Sequence, residues 1–386
     1  MDTSDKEREI YSIKAGDVFL TRTSETVDEL CMSSVAVKDY PNATYSGFLK
    51  RLRPISDKAY PKFMALFFRS RFFRKTVTNK AVMTLRASFN EAVFNDISVD
   101  LPPIEDQRRI GDLFYDVECK TRNNNAIISE LEAMAKDIYD YWFVQFDFPD
   151  ENGRPYKSSG GKMVWNEDLK REIPEKWNVK TISSLVSASR GISYSTESIT
   201  GVAGVPMINL ASFNVDASYK PAGLKTYSGV YSKEDVLHPF DLIMCNTQQT
   251  DLDPKKDIIG KTMLVPDLFD SDIVASHHIT RLHTEDLSMR VFLNATGKTT
   301  WFHKAMSGHC SGTSILGLDT KHALEYKLAI PEKSIRLSFS EKMIPIEKQK
   351  CVLMRENAEL TSLRDWLLPM LMNGQVKIGN NTGDAK

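Results

Sequence analysis

Two short segments carry side chains suited to paired hydrogen bonds with the edges of nucleic-acid bases. Residues 246–250 (Asn-Thr-Gln-Gln-Thr) follow an apolar stretch that predicts a buried strand, and residues 190–194 (Arg-Gly-Ile-Ser-Tyr) form a second polar loop. The arginine fork matches guanine, and asparagine or glutamine amides match adenine. Polar loops that are only solvated are the alternative. The predicted DNA contacts are Arg190, Tyr194, Asn246, Thr247, Gln248 and Gln249.

Positive charge is concentrated in one part of the chain, although the formal net charge is only -1. Residues 50–86 contain eleven Lys or Arg against one acidic residue, Asp57. Such cations bind backbone phosphates and carry little sequence information. A solvated helix face is the alternative, because the phenylalanines of this segment must partly be core. The predicted phosphate contacts are Lys50, Arg51, Arg53, Arg69, Arg71, Arg74 and Lys75.

Catalytic and metal-binding patterns are weak in comparison. The chain lacks the glycine-bearing cofactor loop and the Asn/Asp-Pro-Pro-aromatic motif of a DNA methyltransferase. Two Gly-Lys-Thr triplets, at 260–262 and 297–299, lack the earlier glycine of a phosphate-binding loop. The acidic stretch 266–272 is typical of a turn rather than of a nuclease metal site. Zinc ligand types occur without zinc spacing, and His277 and His278 are expected on opposite faces of a strand.

An internal duplication with a period of about 229 residues organises the chain. Residues 96–102 align with 325–331, and each is predicted to be a short strand that ends at a proline. Residues 15–21 align with 239–245, and residues 48–52 fall opposite 278–282. The residues Arg22, Thr23 and Ser24 thereby occupy the place of Asn246, Thr247 and Gln248. They are predicted DNA contacts of the first copy.

A long helix is predicted after each duplicated strand. Apolar residues recur at close to a 3.5-residue spacing through 104–146 and again after Pro345, interrupted only at 120–125. A helix of about 40 residues would reach roughly 60 Å and cannot bury its apolar stripe alone. We therefore expect the two helices to pack antiparallel between two similar globular domains. A plain coiled-coil dimerisation rod is the alternative.

The predicted fold class is mixed α/β, in the α+β sense, with unequal copies. The second copy has about 65 residues before Asp241 and the first only sixteen before Asp17, so the first domain is expected to be truncated at its N-terminus. The predicted parts are a partial first domain at 1–103, helices at 104–146 and 332–375, a surface linker at 147–172, a second domain at 173–331 and a disordered tail at 376–386.

Composition narrows the class of protein further. No run of roughly 18 apolar residues is present, and the polar N-terminal residues do not resemble a secretory signal. The five cysteines are scattered and form no CxxC pair, which argues against a disulfide scaffold. A reducing cytoplasm is the expected location.

With the repeat and the helices in view, the chain resembles the specificity subunits of type I restriction-modification systems. The resemblance covers nearly the whole chain and is carried by residues 101–110 (LPPIEDQRRI), by 130–146 with its Tyr-Trp-Phe-Val, and by 171–177 (REIPEKW). The second junction is degenerate, with Pro-Glu-Lys-Ser at 331–334 where a double proline and Glu-Gln are usual.

This resemblance implies a non-catalytic subunit with two target-recognition domains that read a bipartite sequence in double-stranded DNA. It implies docking of methyltransferase subunits, two in number, with restriction and translocase subunits as further candidates. It also implies that S-adenosylmethionine is held by the methyltransferase, so that this chain needs no cofactor. The alternatives are an interaction scaffold of the same family that no longer reads one half-site, and a self-contained DNA-modifying enzyme.

Overall fold

A computed structural model describes the chain at residues 3–24, 29–80, 82–83, 87–88, 95, 97–98, 100–199, 201, 203–249, 257–313, 315–372, 374–376 and 378. Contacts divide the chain into two units. Unit 1 comprises residues 1–124 and 356–386, and unit 2 comprises residues 125–355.

Unit 1 begins with a short helix that is closed by a reciprocal Ser4 and Glu7 capping box. Its elements are α1 (Asp5–Ile10), β1 (Val18–Thr21), β2 (Thr23–Ser24), β3 (Ser33–Val35), β4 (Leu49–Leu52), α2 (Pro61–Phe67), α3 (Arg71–Lys80), β5 (Val82–Met83), β6 (Ala87–Ser88) and the start of α4 (Ile104–Tyr139). The strands form two antiparallel sheets, in the orders β3-β1-β4 and β2-β6-β5.

Unit 2 begins within α4, which continues as a π-helical turn at Asp140–Val144. Its strands are β7 (Met163–Asn166), β8 (Arg171–Pro174), β9 (Asn178–Thr181), β10 (Ser187–Arg190), β11 (Val205–Ile208), β12 (Lys225–Tyr227), β13 (Val236–Leu237), β14 (Leu242–Cys245), β15 (Thr247–Gln249), β16 (Thr262–Leu264), β17 (Ile273–Ala275), β18 (Ile279–His283), β19 (Cys310–Ser311), β20 (Ile315–Leu318) and β21 (Lys327–Ile330). Its helices are α5 (Leu287–Gly297), α6 (Thr300–Ser307), α7 (Thr320–Ala323) and most of α8 (Lys333–Met372).

The strands of unit 2 build several small sheets around an apolar core. The sheet orders are β10-β18-β14-β16, β12-β11-β17-β13, β15-β20-β19, β21-β9 and β7-β8. Strand β14 lies at the centre of the first sheet and all four of its residues are buried, as its unbroken run of apolar residues predicts.

Hydrogen bonds show that the two copies share one fold. The Gly16 N–H donates to the Ala36 carbonyl at 2.8 Å, and the Phe240 N–H donates to the Val265 carbonyl at the same distance. Both turns need a positive φ, 88° at Gly16 and 64° at Phe240. In both copies the central strand lies between an antiparallel strand and a return strand, and a short three-stranded sheet follows. The predicted duplication is therefore confirmed.

A buried carboxylate stands at the head of each central strand. The Asp17 carboxylate accepts two hydrogen bonds from Arg53, at 2.6 and 2.7 Å, and one from the Lys14 N–H at 2.8 Å. In the second copy, Asp241 accepts from the His238 N–H and pairs with Arg281 at 2.9 Å. Burial raises the pKa of Asp17, but the Arg53 and Lys14 hydrogen bonds outweigh it and hold this pKa below 3.8.

The start of each long helix is anchored to the preceding proline, by a different side chain in each copy. Gln107 is buried; its Nε2 donates to the Pro102 carbonyl at 2.8 Å and its Oε1 accepts from the Tyr60 N–H. At the degenerate second junction, Arg336 donates from Nε to the Pro331 carbonyl at 3.2 Å. Each side chain anchors the first turn of its helix to the preceding proline.

The copies differ where the second copy has additional strands. Residues 325–331 contain β21, which pairs with β9. In the aligned segment 96–102, residues 97, 98, 100 and 101 are not in a strand, and residues 96 and 99 lie outside the described residues. The predicted strand of the first copy is thus wrong for the residues described. The physical reason is that no counterpart of β9 pairs with them within the described part of unit 1.

The two long helices run antiparallel in both units, as predicted. In unit 1, Asn124 donates to Glu356 at 2.8 Å, and Ile110 and Leu371 share one apolar cluster. In unit 2, Tyr139 lies against Phe339 with ring centroids 6.3 Å apart. Helix α4 continues without a break through 120–125, and Pro345 lies inside α8. No helix among the described residues is long and apolar enough to cross a membrane.

The segment 147–172, predicted to be a surface linker, contains β7 and the start of β8. Phe148 is buried and stacks on Tyr156 and on Trp177, with ring centroids 4.7 and 5.5 Å away. These aromatic contacts give a Gly- and Ser-rich segment a fixed fold. The end of the predicted tail, residues 379–386, lies outside the described residues.

A buried ion cluster joins α4 and α8 within unit 2. The Lys350 ammonium lies 2.9 Å from Glu132 and 3.0 Å from Glu347, and its side chain is only 6% exposed. Burial lowers the pKa of Lys350, but the two carboxylates outweigh it and raise this pKa above 10.5. For Glu347 burial acts in the opposite direction and raises the pKa, but the charges of Lys350 and Lys298 outweigh it and bring this pKa below 4.5. The lysine therefore stays charged in the helix seam.

We expect Lys350→Met to lower the free energy of unfolding by about 3–5 kcal/mol, because it leaves buried carboxylates without their cation. Urea denaturation measures the change. Lys348→Met, at an exposed position of the same helix, is the matched control and should change stability by less than about 0.5 kcal/mol. Equal effects of the two substitutions would contradict the role of the cluster.

We expect Asp17→Asn to cost about 1.5–3 kcal/mol, because hydrogen bonds to the charged Arg53 are weakened at a fully buried site. Urea denaturation again provides the measurement. Asp57→Asn, at an exposed position that has no hydrogen-bond or ion-pair partner in the described part of the chain, is the control. An unchanged stability in Asp17→Asn would show that the carboxylate does not hold the turn.

Candidate nucleic-acid interface

The two copies present their polar residues from the same backbone framework. Directly after β1, the Arg22 N–H donates to the Phe48 carbonyl at 2.8 Å; directly after β14, the Asn246 N–H donates to the His278 carbonyl at 3.0 Å. Arg22 is therefore equivalent to Asn246, and Phe48 to His278. The sequence alignment predicted this correspondence of the two positions.

In unit 2 the two predicted segments lie on opposite sides of β18. Arg190 pairs with Thr280 on one side, and Asn246 donates from Nδ2 to the Thr280 hydroxyl at 2.9 Å on the other. The turn before β18 adds His277 and His278. We call the group formed by Arg190, Tyr194, Lys225, His277 and His278 the histidine corner.

The rings of the histidine corner are in contact. His277 lies 3.9 Å from His278 and 5.4 Å from Tyr194, measured between ring centroids. Both histidines lie in a turn rather than in the strand, so the expectation that they face opposite ways is wrong. Because they are half-buried, these aromatic rings offer a stacking surface to an unpaired or edge-exposed base.

A glycine makes this arrangement possible. A Cβ at Gly191 would lie 2.4 Å from the carbonyl oxygens of both Ala275 and Ser276. The close approach lets the Gly191 N–H donate to Ile279 and the Ile192 N–H donate to Ala275. The chain between Arg190 and Tyr194 is thereby held against the turn that carries the histidines.

Positive charge surrounds His278. Burial lowers the pKa of His278 below 6.5, and the charges of His277, Arg190 and Lys225 lower it further. A neutral imidazole has one donor and one acceptor nitrogen. Nδ1 is joined to the Thr247 hydroxyl at 2.7 Å, and within the described residues Nε2 has no partner. The corner therefore combines an imidazole edge with the exposed cations Arg190 and Lys225.

The predicted loop 246–250 has a different structure from the one expected. Asn246 is fully buried, and residues 247–249 form β15, which pairs with β20. Gln248 accepts a hydrogen bond from the Ile258 N–H at 3.3 Å. Residue 250 lies outside the described residues. Asn246 acts here as an internal brace, because its amide satisfies the His277 carbonyl and Thr280.

The equivalent surface of unit 1 is apolar and basic. Phe48, at the position of His278, is 59% exposed. Arg22, whose N–H donates to the Phe48 carbonyl, is exposed as well. Thr23 and Ser24 form β2. The Thr23 hydroxyl has no hydrogen-bond partner in the described part of the chain, whereas the equivalent Thr247 hydroxyl is bonded to His278. An exposed phenylalanine can contact a thymine methyl group or stack on a base.

The predicted phosphate cluster divides into two groups. Four of its members are engaged within unit 1: Arg51 with the Ser12 carbonyl, Arg53 with Asp17, Arg69 with Glu118 and the Ser33 carbonyl, and Arg74 with the Leu30 carbonyl. Lys50 also has an interaction. Arg71 and Lys75 are exposed and, within the described residues, form no hydrogen bond or ion pair.

The weaker motifs have structural explanations. Gly297 ends α5, and the Thr299 hydroxyl caps α6 by accepting from the Phe302 N–H, so this triplet serves two helix ends. Among the described residues, no group of three or more His, Cys, Asp or Glu is placed to hold a metal ion. Lys225 and the contact between the two histidines were missed from the sequence. The predicted contacts Arg190 and Tyr194 and the alignment of Phe48 with His278 did point to this place.

Comparisons with known proteins agree with this organisation. Residues 5–133 match the family described as type I restriction modification DNA specificity domain. The MjaIX specificity subunit of Methanocaldococcus jannaschii is 22% identical over 161 residues, which cover 41% of this chain and only 34% of that protein. The HindI specificity subunit of Haemophilus influenzae is 24% identical, over 88% of this chain and 82% of that protein.

A solved structure supports the fold independently of sequence. The type I restriction-modification S subunit from M. genitalium superposes with a TM-score of 0.60 at 13% identity, over 94% of this chain and 84% of that one. The named relatives are specificity subunits, which is the class that the resemblance predicted. The chain is thus similar to type I restriction-modification specificity subunits, in sequence over most of its length and in fold.

Proposed function

We propose that this chain reads a bipartite sequence in double-stranded DNA, with one half-site for each unit, and that it docks methyltransferase subunits on its paired helices. The observation that carries the proposal is the equivalence of two surfaces. At the end of each central strand an aromatic ring takes the equivalent position, Phe48 in unit 1 and His278 in unit 2. An exposed arginine accompanies each ring from a different element, Arg22 directly after β1 and Arg190 at the end of β10.

The chemistry of the two surfaces differs although the framework is shared, and this difference supports separate sequence preferences. His278 offers a hydrogen-bonding edge, whereas Phe48 offers only apolar contact. The cations Arg190, Lys225, Arg71 and Lys75 would bind phosphates and position these rings over bases. In this proposal Asn246, Arg53 and Asp17 hold the framework and do not read DNA.

Partner docking rests on the family and on the helices. Exposed apolar residues remain along α4 and α8, among them Ile127, Met134 and Trp366, and they offer contacts to other subunits. We propose that two methyltransferase subunits bind, that restriction subunits are further partners, and that S-adenosylmethionine is bound by the methyltransferase. A cytoplasmic location stays a prediction.

The paired substitution Arg190→Ala with Lys225→Ala should weaken binding to a random-sequence 40-base-pair duplex and reduce the steepness of its salt dependence. Each lost phosphate contact lowers the slope of log K against log salt by about one. Fluorescence anisotropy across a salt series gives both quantities. Lys348→Ala, on an exposed helix position, is the control. An unchanged slope in the double variant would remove the corner from the interface.

Base reading is tested separately by sequencing the methylated sites of cells that express the chain with its methyltransferase subunit. His278→Ala should relax or change one half of the bipartite site, and Phe48→Ala the other half. A lost base contact costs about 1–3 kcal/mol, which is roughly 5- to 150-fold in preference. Val230→Ala and Val37→Ala, both exposed apolar positions, are the matched controls.

Three outcomes would count against the proposal. If both substitutions changed the same half-site, the units would not read separate sequences. If Phe48→Ala alone had no effect, unit 1 would act as an interaction scaffold, the second reading of the sequence. Methyl transfer by the purified chain without partners would instead favour a self-contained enzyme.

A further inference from the structure

Residues 177–190 complete the core of unit 2, and we call them the closing segment. Strand β9 of this segment pairs with β21, with Ile330 opposite Asn178. Strand β10, at its other end, pairs with β18, with Arg190 opposite Thr280. Between the two strands, Ile182 and Val186 are buried in the same apolar cluster as Leu242, Leu282 and Phe302. The closing segment thus supplies two strands and, between them, two buried side chains.

Each surface that the closing segment covers has a counterpart in unit 1. Strand β1 corresponds to β14 and β4 to β18, because their registers match. Helix α3 corresponds to α6, because the Phe73 N–H donates to the Ser70 hydroxyl as the Phe302 N–H donates to the Thr299 hydroxyl, at 3.3 Å in both. The Ser33 hydroxyl donates to the Ala65 carbonyl as the Thr262 hydroxyl donates to the Asn294 carbonyl. By this correspondence, Leu52 stands for Leu282, and Phe73 for Phe302.

In unit 1 all three of these surfaces are uncovered within the described residues. Strand β4 is the last strand of its sheet, whereas β18 is paired on both sides. The segment 97–101, which corresponds to β21, is in no strand at its described positions. A cavity of about 270 Å³ lies where Ile182 and Val186 would be expected. Its lining includes Val18, Leu52, Met64, Phe68 and Phe73.

The character of the cavity indicates a polypeptide as its ligand. Its described lining residues are apolar except for Arg53 at the rim, which is neutralised by Asp17. Ile55 follows the lining residue Pro54 and is fully exposed. An open strand edge beside an apolar pocket offers main-chain hydrogen bonds and side-chain pockets together, which is the pattern for binding an extended segment by strand addition.

We propose that unit 1 binds a segment of another polypeptide with the chemistry of residues 177–190: a strand, two apolar side chains four residues apart, and a second strand. The segment adds to β4, pairs as a strand with the chain around residues 97–98 and 100–101, and fills the cavity. A second copy of this chain is not the proposed source. Its own closing segment is buried, with Ile182 only 2% and Val186 only 7% exposed, and releasing it would open the core of unit 2.

The test uses the full chain and a fluorescent synthetic peptide of residues 175–190, added in a titration followed by anisotropy. We expect saturable binding at one peptide per chain. A control peptide with Ile182→Asp and Val186→Asp should bind at least tenfold more weakly, because carboxylates cannot enter the apolar cavity. No saturable binding, or equal binding of the two peptides, would overturn the proposal.

A chain variant tests the cavity itself. Ala59 lines the cavity and is half-buried, so Ala59→Trp should fill it and weaken peptide binding at least tenfold. Lys58→Trp, at the adjacent exposed position, is the matched control and should bind normally. Both variants are first checked for an unchanged circular dichroism spectrum. Full binding by a folded Ala59→Trp variant would contradict the proposal.

Hydrogen exchange locates the bound peptide if Ala59→Trp fails to fold. Protection should increase in residues 49–52 and 97–101 when the peptide is added to the unaltered chain. Changes confined to β18 and β21 would mean that the peptide exchanges with the closing segment of unit 2, which would overturn the proposal. None of these measurements involves DNA, so they succeed or fail independently of the proposed DNA reading.

Discussion

The apolar stripes of the two long helices impose the constraint on which both units depend. Neither stripe can be buried by its own helix, so α4 and α8 must lie side by side wherever they are apolar. In unit 1 this pairing carries Ile110 and Phe114 into the core of the small sheet, and in unit 2 it carries Tyr139 and Phe143 to Phe339. The paired helices thus contribute side chains to the core of each unit. Lys350, with its two carboxylates, adds a buried polar contact that favours one register of α4 against α8.

The duplication also places two similar sheets in one polypeptide, in which different side chains serve the same positions of the framework. The buried aspartate at the head of the central strand is satisfied by an arginine in both copies, but by Arg53 in one and by Arg281 in the other. The helix junction is anchored by Gln107 in one and Arg336 in the other. A constant framework with exchangeable surface residues is what reading two different half-sites requires. The equivalent residues Phe48 and His278 are an example, because the phenylalanine ring is apolar and the imidazole ring forms hydrogen bonds.

Unit 1 also has surfaces that no described segment covers. In unit 2 the closing segment pairs with the edge of β18 and covers the apolar cluster beside it. Strand β4 of unit 1 likewise has an unpaired edge next to an apolar cavity, and no described segment covers either. A strand edge and an apolar cavity side by side favour an added segment more than either would alone. The proposed DNA surface at Phe48 and the proposed binding of a segment at the cavity are separate features of this unit.

The sequence by itself determined the repeat, the long helices and their antiparallel pairing, because periodicity and alternation are local signals that survive without knowledge of partners. It also placed Arg22 opposite Asn246. Only the tertiary structure decided which polar residues face outward: Asn246 turns inward to satisfy Thr280, Arg53 is held by Asp17, and His277 meets His278 in a turn. The strand predicted at 96–102 depended on a partner that the sequence pattern could not supply. These outcomes depend on contacts between segments that are far apart in the chain. Whether a polar side chain stays solvated or forms a buried hydrogen bond is decided by those distant partners.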